Sequence, residues 1–168
     1  FGVLTAVVAV TGYRLIHTVG RVASVVGIIG FTYLAVRLFA DYDVASVIGV
    51  KPFDFATFLL AISLGAGWQL TFGPYVADYS RYLPRTTSGR ATFWSTLAGT
   101  VIGSSWSMAF GALVAAVAGD AFLDDQVGFV GGLAGPAVVA VLIYLVIVIG
   151  KLTVNCLNAY GGFMSILA

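Results

Sequence analysis

Two stretches of the 168-residue sequence set polar or aromatic side chains among apolar neighbours. The first is Gly67-Trp68-Gln69, with Phe72 one turn further on. Trp offers a flat apolar face, and a Gln amide offers both a donor and an acceptor. That pair suits a flat heterocycle with polar edges. It also serves as plain packing, with Trp68 wedged between helices and Gln69 tying a loose backbone group, since binding pockets are few per protein. The second stretch holds Lys151, Asn155 and Asn158. An ionisable group inside a membrane costs at least ~2.5 kcal/mol and is a functional candidate by default. A Lys near a helix end can instead snorkel its charge to the interface. Asn155 and Asn158 are three apart and share a helix face. Amides so placed read a ligand or join helices, the latter at roughly 0.6–2 kcal/mol each.

Composition places both stretches in lipid. Hydrophobic residues make up 60% of the chain, charged residues 9%, and mean hydropathy is +1.04. A soluble domain carries about 25% charged residues, so a water-soluble fold is excluded, as is disorder, which needs low hydrophobicity and high charge. The net charge of +1 offers no polybasic surface for nucleic acid. One cysteine, Cys156, excludes an internal disulfide framework and a multi-Cys metal site. The chain opens at Phe1 within an apolar run and closes in another at Ile166-Leu167-Ala168, so the expectation is a piece of a longer membrane protein.

The charged residues punctuate that sequence. A spanning helix needs about 20 mainly apolar residues. Spans are expected at 1–14 (the tail of a span), 19–40, 54–80, 91–118 and 134–160, forming a single membrane region over 1–168. Regular ten-residue alternation is absent, which argues against a barrel and leaves a helical bundle. The first connector carries Arg14, His17 and Arg21, and the third carries Arg81, Arg85 and Arg90. The second mixes Arg37, Asp41, Asp43, Lys51 and Asp54, while the fourth holds Asp120, Asp124 and Asp125. Basic residues favour cytoplasmic loops, which puts the first and third connectors inside and the second and fourth outside.

The third span carries Gly65, Gly67, Gly73 and Pro74 in its middle. Each Gly weakens a helix by roughly 1 kcal/mol and Pro by about 3. The pattern predicts a broken helix, whose freed backbone groups can bind substrate or ions at the midplane. A Gly/Pro kink for close packing is the other reading. Asp78 and Arg81 are spaced for a local ion pair at the inner end of the span. Gly99 and Gly103, flanked by Ser104, Ser105 and Ser107, suggest close helix packing in the fourth. Neither the lone His17 nor the acidic Asp120–Asp125 loop has a metal-binding pattern. No nucleophile–base pair, phosphate loop or zinc motif is visible, so no catalytic residue, metal ligand or cofactor is assigned.

Residues 67–84, Gly-Trp-Gln-Leu-Thr-Phe-Gly-Pro-Tyr-Val-Ala-Asp-Tyr-Ser-Arg-Tyr-Leu-Pro, resemble the sixth transmembrane helix of the nucleobase–cation symporter family, in its purine–cytosine permease branch. Gly12-Tyr13-Arg14-Leu15-Ile16-His17 is similar to that family's junction between helices four and five. Residues 150–162, Gly-Lys-Leu-Thr-Val-Asn-Cys-Leu-Asn-Ala-Tyr-Gly-Gly, resemble its eighth helix. The resemblance implies an all-α polytopic membrane protein, part of a twelve-helix transporter with two inverted five-helix repeats working by alternating access. This chain would hold helices four to eight of it, with helices one and three among the remaining helices of the full-length chain.

By the same resemblance, Gly67, Trp68 and Gln69 fall in the substrate region, with Phe72 an alternative stacking aromatic. Thr153 and Asn158 have the family spacing of a cation-binding hydroxyl and a substrate-binding Asn. Leu152 stands where sodium-coupled members often carry a second hydroxyl, which weakens a sodium assignment. Lys151, beside Thr153 in sequence, could stand in for the cation, and Asn155 could serve either job. The implied function is import of a nucleobase or related flat heterocycle, of cytosine, purine or allantoin type, coupled to H+ or Na+ across the cell (plasma or inner) membrane. A same-fold transporter of another solute such as an amino acid, a channel, and a membrane enzyme are the competing readings. The first would place free backbone amides, not an indole, at the helix break.

Overall fold

The computed structural model describes residues 2–11, 13–50 and 52–167. Phe1 and Ala168 at the ends of the expected membrane region, Gly12 of the expected junction and Lys51 of the second connector lie outside them. Among the described residues every regular element is helical: α1 (Gly2–Thr11), α2 (Tyr13–Asp41), a 3-10 turn (Val44–Val47), α3 (Phe55–Ser80), α4 (Gly89–Ala118), α5 (Asp120–Asp124), α6 (Gln126–Ala134) and α7 (Ala137–Leu167). Four helices are long and apolar enough to cross a bilayer, over His17–Asp41, Phe55–Asp78, Gly89–Ala118 and Ala137–Ile166. The protein is thus an integral, multi-pass membrane protein. Its contacts divide it into two units, Phe1–Ala45 with Val114–Ala168, and Ser46–Leu113.

In the first unit α7 packs along α1, α2 and α6. Small residues permit the approach. A β-carbon on Gly20 of α2 would lie 3.6 Å from the Thr153 methyl, and one on Gly30 would lie 3.3 Å from Ile143 Cδ1. Against α1, Cys156 and Val8 form a small core flanked by Leu152, Leu157 and Tyr160. The Cys156 thiol donates weakly to the Thr5 carbonyl at 3.7 Å. The fourth connector folds into α5 and α6. Asp125 caps α6 by accepting from the Gly128 amide at 2.8 Å. Gly135 ends α6 with φ 81°, a conformation that favours glycine, and Pro136 precedes α7. This elbow is tied to α2. Tyr33 donates to the Ala134 carbonyl at 2.9 Å, and a β-carbon on Gly135 would meet the Arg37 guanidinium at 2.9 Å. Arg37 in turn donates through Nε to Asp41 at 3.0 Å.

In the second unit Asp54 caps α3. Its Oδ2 accepts from the Thr57 amide at 2.7 Å and the Thr57 hydroxyl at 2.6 Å. These hydrogen bonds hold its carboxyl below the usual carboxylate range. At the other end Arg81 donates to Asp78 at 2.6 Å, the local ion pair that their spacing suggested.

One expectation is corrected. The third span is not broken: α3 runs as continuous helix from Phe55 to Ser80 through Gly65, Gly67, Gly73 and Pro74. Glycine can hold helical dihedrals, and its cost of roughly 1 kcal/mol is below that of an unpaired backbone group in lipid, several kcal/mol. Proline removes its own N–H and so frees a single acceptor, the carbonyl four residues earlier at Leu70. The first connector also differs from a loop, because α2 is helical from Tyr13 and nothing in 13–21 breaks it.

Candidate functional site

The sequence-derived site residues fall into two groups, one in each unit. In the second unit, α3 carries Gly67, Trp68, Gln69 and Phe72. Trp68, Phe72 and Tyr75 stand at i, i+4 and i+7 and share one helix face. The Trp68 side of this face is open, with the residue 62% exposed. Phe72 and Tyr75 stack at 6.0 Å between ring centroids with 27° between planes. The Thr71 hydroxyl donates back to the Trp68 carbonyl at 2.8 Å, using the side chain to satisfy a backbone acceptor. Beyond its own turn of helix, nothing lies within 4 Å of where a Gly67 β-carbon would be, which leaves that face beside Trp68 open.

Gln69 follows Trp68 and is turned about 100° around the helix, toward α4. Its Nε2 donates to Ser104 Oγ at 3.1 Å. Both residues are half-buried and sit near the middle of their helices. At that depth no water competes, so a polar side chain must find its partner within the protein. Composition marked Ser104 as one of several small residues suited to packing. Its pairing with Gln69 was signalled only by the equal depth of the two in successive spans.

In the first unit, α7 carries Lys151, Thr153, Asn155 and Asn158. Lys151, Asn155 and Asn158 stand at i, i+4 and i+7, so the structure brings them to one face. Lys151 and Asn158 are exposed there, and Asn155 is half-buried. Thr153 is set apart. Its methyl faces Gly20 of α2, and its hydroxyl donates to the Ile149 carbonyl at 2.9 Å. Two residues of helix turn by about 200°, so neighbours in sequence point to opposite sides. Among the described residues no three His, Cys, Asp or Glu side chains gather as a metal-binding group.

Four helices long and apolar enough to cross a bilayer, with polar side chains near their middles, mark a multi-pass membrane protein. The chain belongs to the family described as "Permease for cytosine/purines, uracil, thiamine, allantoin", which it matches over residues 1–168. It is 35% identical over 154 residues to the Bacillus subtilis (strain 168) protein named "Putative purine-cytosine permease YxlA". The match takes in 92% of this chain and 33% of that protein, so the chain spans one third of its relative's length. No solved structure matches the chain.

Proposed function

We propose that the protein works as a secondary transporter importing a nucleobase or related flat heterocycle by cation symport with alternating access. In this reading the chain supplies helices four to eight of a twelve-helix, five-plus-five inverted-repeat transporter in the plasma or inner membrane. The remaining helices of the full-length protein, and lipid, cover the faces exposed here. The observation that carries the proposal is the open Trp68 indole next to a Gln69 amide held at mid-span. The base stacks on Trp68, or on Phe72, approaching closely at Gly67, and Gln69 reads a polar edge; Asn158, by its family spacing, is a further substrate residue. Stacking of a base on an aromatic residue is worth about 1–3 kcal/mol.

The coupling ion is H+ or Na+, taken either at Lys151 and Asn155 on their common face of α7 or at Thr153 on the opposite one. The Thr153 oxygen donates to Ile149 and keeps lone pairs for a cation. The common face of Lys151, Asn155 and Asn158 supports a link between cation and substrate. Continuity of α3 weighs against the amino-acid alternative, which would use freed backbone amides at a break.

Uptake of radiolabelled cytosine, adenine, uracil, allantoin and hydantoin by the full-length protein tests this, with and without sodium and across pH. Accumulation of at least one heterocycle against its gradient, driven by sodium or by pH, is the expected result. Flux that only equilibrates, or no uptake of any of them, overturns it.

A further inference from the structure

We propose that the Lys151 face of α7 docks a helix of the remaining full-length chain that carries a carboxylate at the depth of Lys151, and that the two charges pair there. The inference rests on the reading that further helices complete this transporter, and not on the identity of what is carried. Lys151 is the fifteenth of the thirty residues in the apolar span Ala137–Ile166, and the one charged residue within it. At 1.5 Å per residue its backbone lies roughly 21–23 Å from either end. A hydrocarbon core is about 30 Å thick, and the four-carbon stem of a Lys reaches roughly 6 Å. From mid-span the ammonium therefore stays within the membrane.

The opposite side of α7 is packed on α1 and α2: Thr153 faces Gly20, Ile143 faces Gly30, and Cys156 is buried with Val8. Lys151 stands on the open side and, among the described residues, makes no ion pair. The sequence contains no Glu, and its seven acidic residues are all Asp. Asp41 ends α2 and Asp43 follows it, Asp54 and Asp78 lie at the two ends of α3, and the other three lie around α5. Asp41, Asp54, Asp78 and Asp125 already accept from Arg37, Thr57, Arg81 and Gly128. No negative side chain of this chain thus stands at the middle of a span. An unpaired ammonium in lipid is costly, so a charge kept there pairs. A carboxylate on another helix offers lone pairs to the Lys151 N–H groups, and Asn155, one turn along the same face, can donate to its second oxygen. The chain covers 33% of its relative's length, which leaves about two thirds of a full-length protein to supply that group.

The test uses the full-length protein and its thermal midpoint in detergent. Lys151→Met should lower the midpoint by at least about 5 °C, because breaking a buried pair leaves the other charge uncompensated. Lys151→Arg, which keeps the charge, should preserve most of it. In the Lys151→Met background, each Asp and Glu within the other spans is then changed singly to Asn or Gln. One of these changes should restore the midpoint, and the same change in the wild-type background should lower it, since Lys151 then loses its partner. A wild-type midpoint in Lys151→Met overturns the proposal and assigns the ammonium to water, lipid or an anionic solute. A lowered midpoint that no single acidic change restores overturns it as well. Neither readout involves uptake, so a failure of heterocycle transport and a failure of this pair are told apart.

Discussion

An amide and an ammonium on one face of α7 carry separable expectations. Asn158 is exposed beside Asn155 and Lys151, at the family spacing for substrate contact. Asn158→Ala should raise the KM of uptake at least 10-fold, because a ligand edge that loses its partner also loses the desolvation it was compensated for. Surface biotinylation must show normal insertion; wild-type affinity rejects the assignment. Lys151 lies on the side of α7 opposite Thr153, so its charge acts with the two Asn residues or at the interface. If it stands in for the coupling cation, Lys151→Ala should change the dependence of uptake on pH and on sodium, with inserted protein unchanged. An unaltered ion dependence takes Lys151 out of ion coupling. These residue types were legible in the sequence because polar groups are rare in lipid. Which of them share a face was legible too, from helical spacing. The pairing of Gln69 with Ser104 was not, since it depends on where α3 and α4 approach each other.

The helices are held by ends and by close approaches. At α3 the Asp54 carboxylate accepts from Thr57, and its pKa is depressed. A depressed carboxylate stabilises above its ordinary pKa, near 3.8, and that contribution is lost as pH falls below it. Amide exchange at Thr57 should therefore speed up on acidification through that range, relative to mid-helix amides. Asp54→Ala should show the faster exchange at neutral pH and no such acid step. Along α2, Gly30 sits where a β-carbon would come within 3.3 Å of Ile143, whereas Gly27 has open space. Gly30→Leu should destabilise the protein by about 1–3 kcal/mol through overpacking, read as a lowered thermal midpoint in detergent, and Gly27→Leu should not. Helix existence was clear from apolar run length. The state of α3 was not, because Gly and Pro bias a helix by only a few kcal/mol and a lipid environment penalises broken backbone more heavily.

On the scale of the whole molecule, the charges predict an orientation. Arg81, Arg85 and Arg90 mark the connector between α3 and α4 as cytoplasmic, and Asp120, Asp124 and Asp125 mark the far end of α4 as outside. Single cysteines at Thr86 and Ala121 should react with a membrane-impermeant maleimide from opposite sides, Ala121→Cys in intact cells and Thr86→Cys only after permeabilisation. Native Cys156, 1% exposed, should contribute little background. Labelling of both from the same side overturns the orientation. The sequence by itself determined that the chain lives in lipid, that it is helical and which family it resembles. Those follow from composition, run length and a contiguous motif, all local properties. The tertiary structure alone decided that α3 is unbroken, that Thr153 turns to α2, and that Ser104 holds Gln69. The first follows from the cost of unpaired backbone in lipid, and the other two from which side chains meet across helices, which no local pattern encodes.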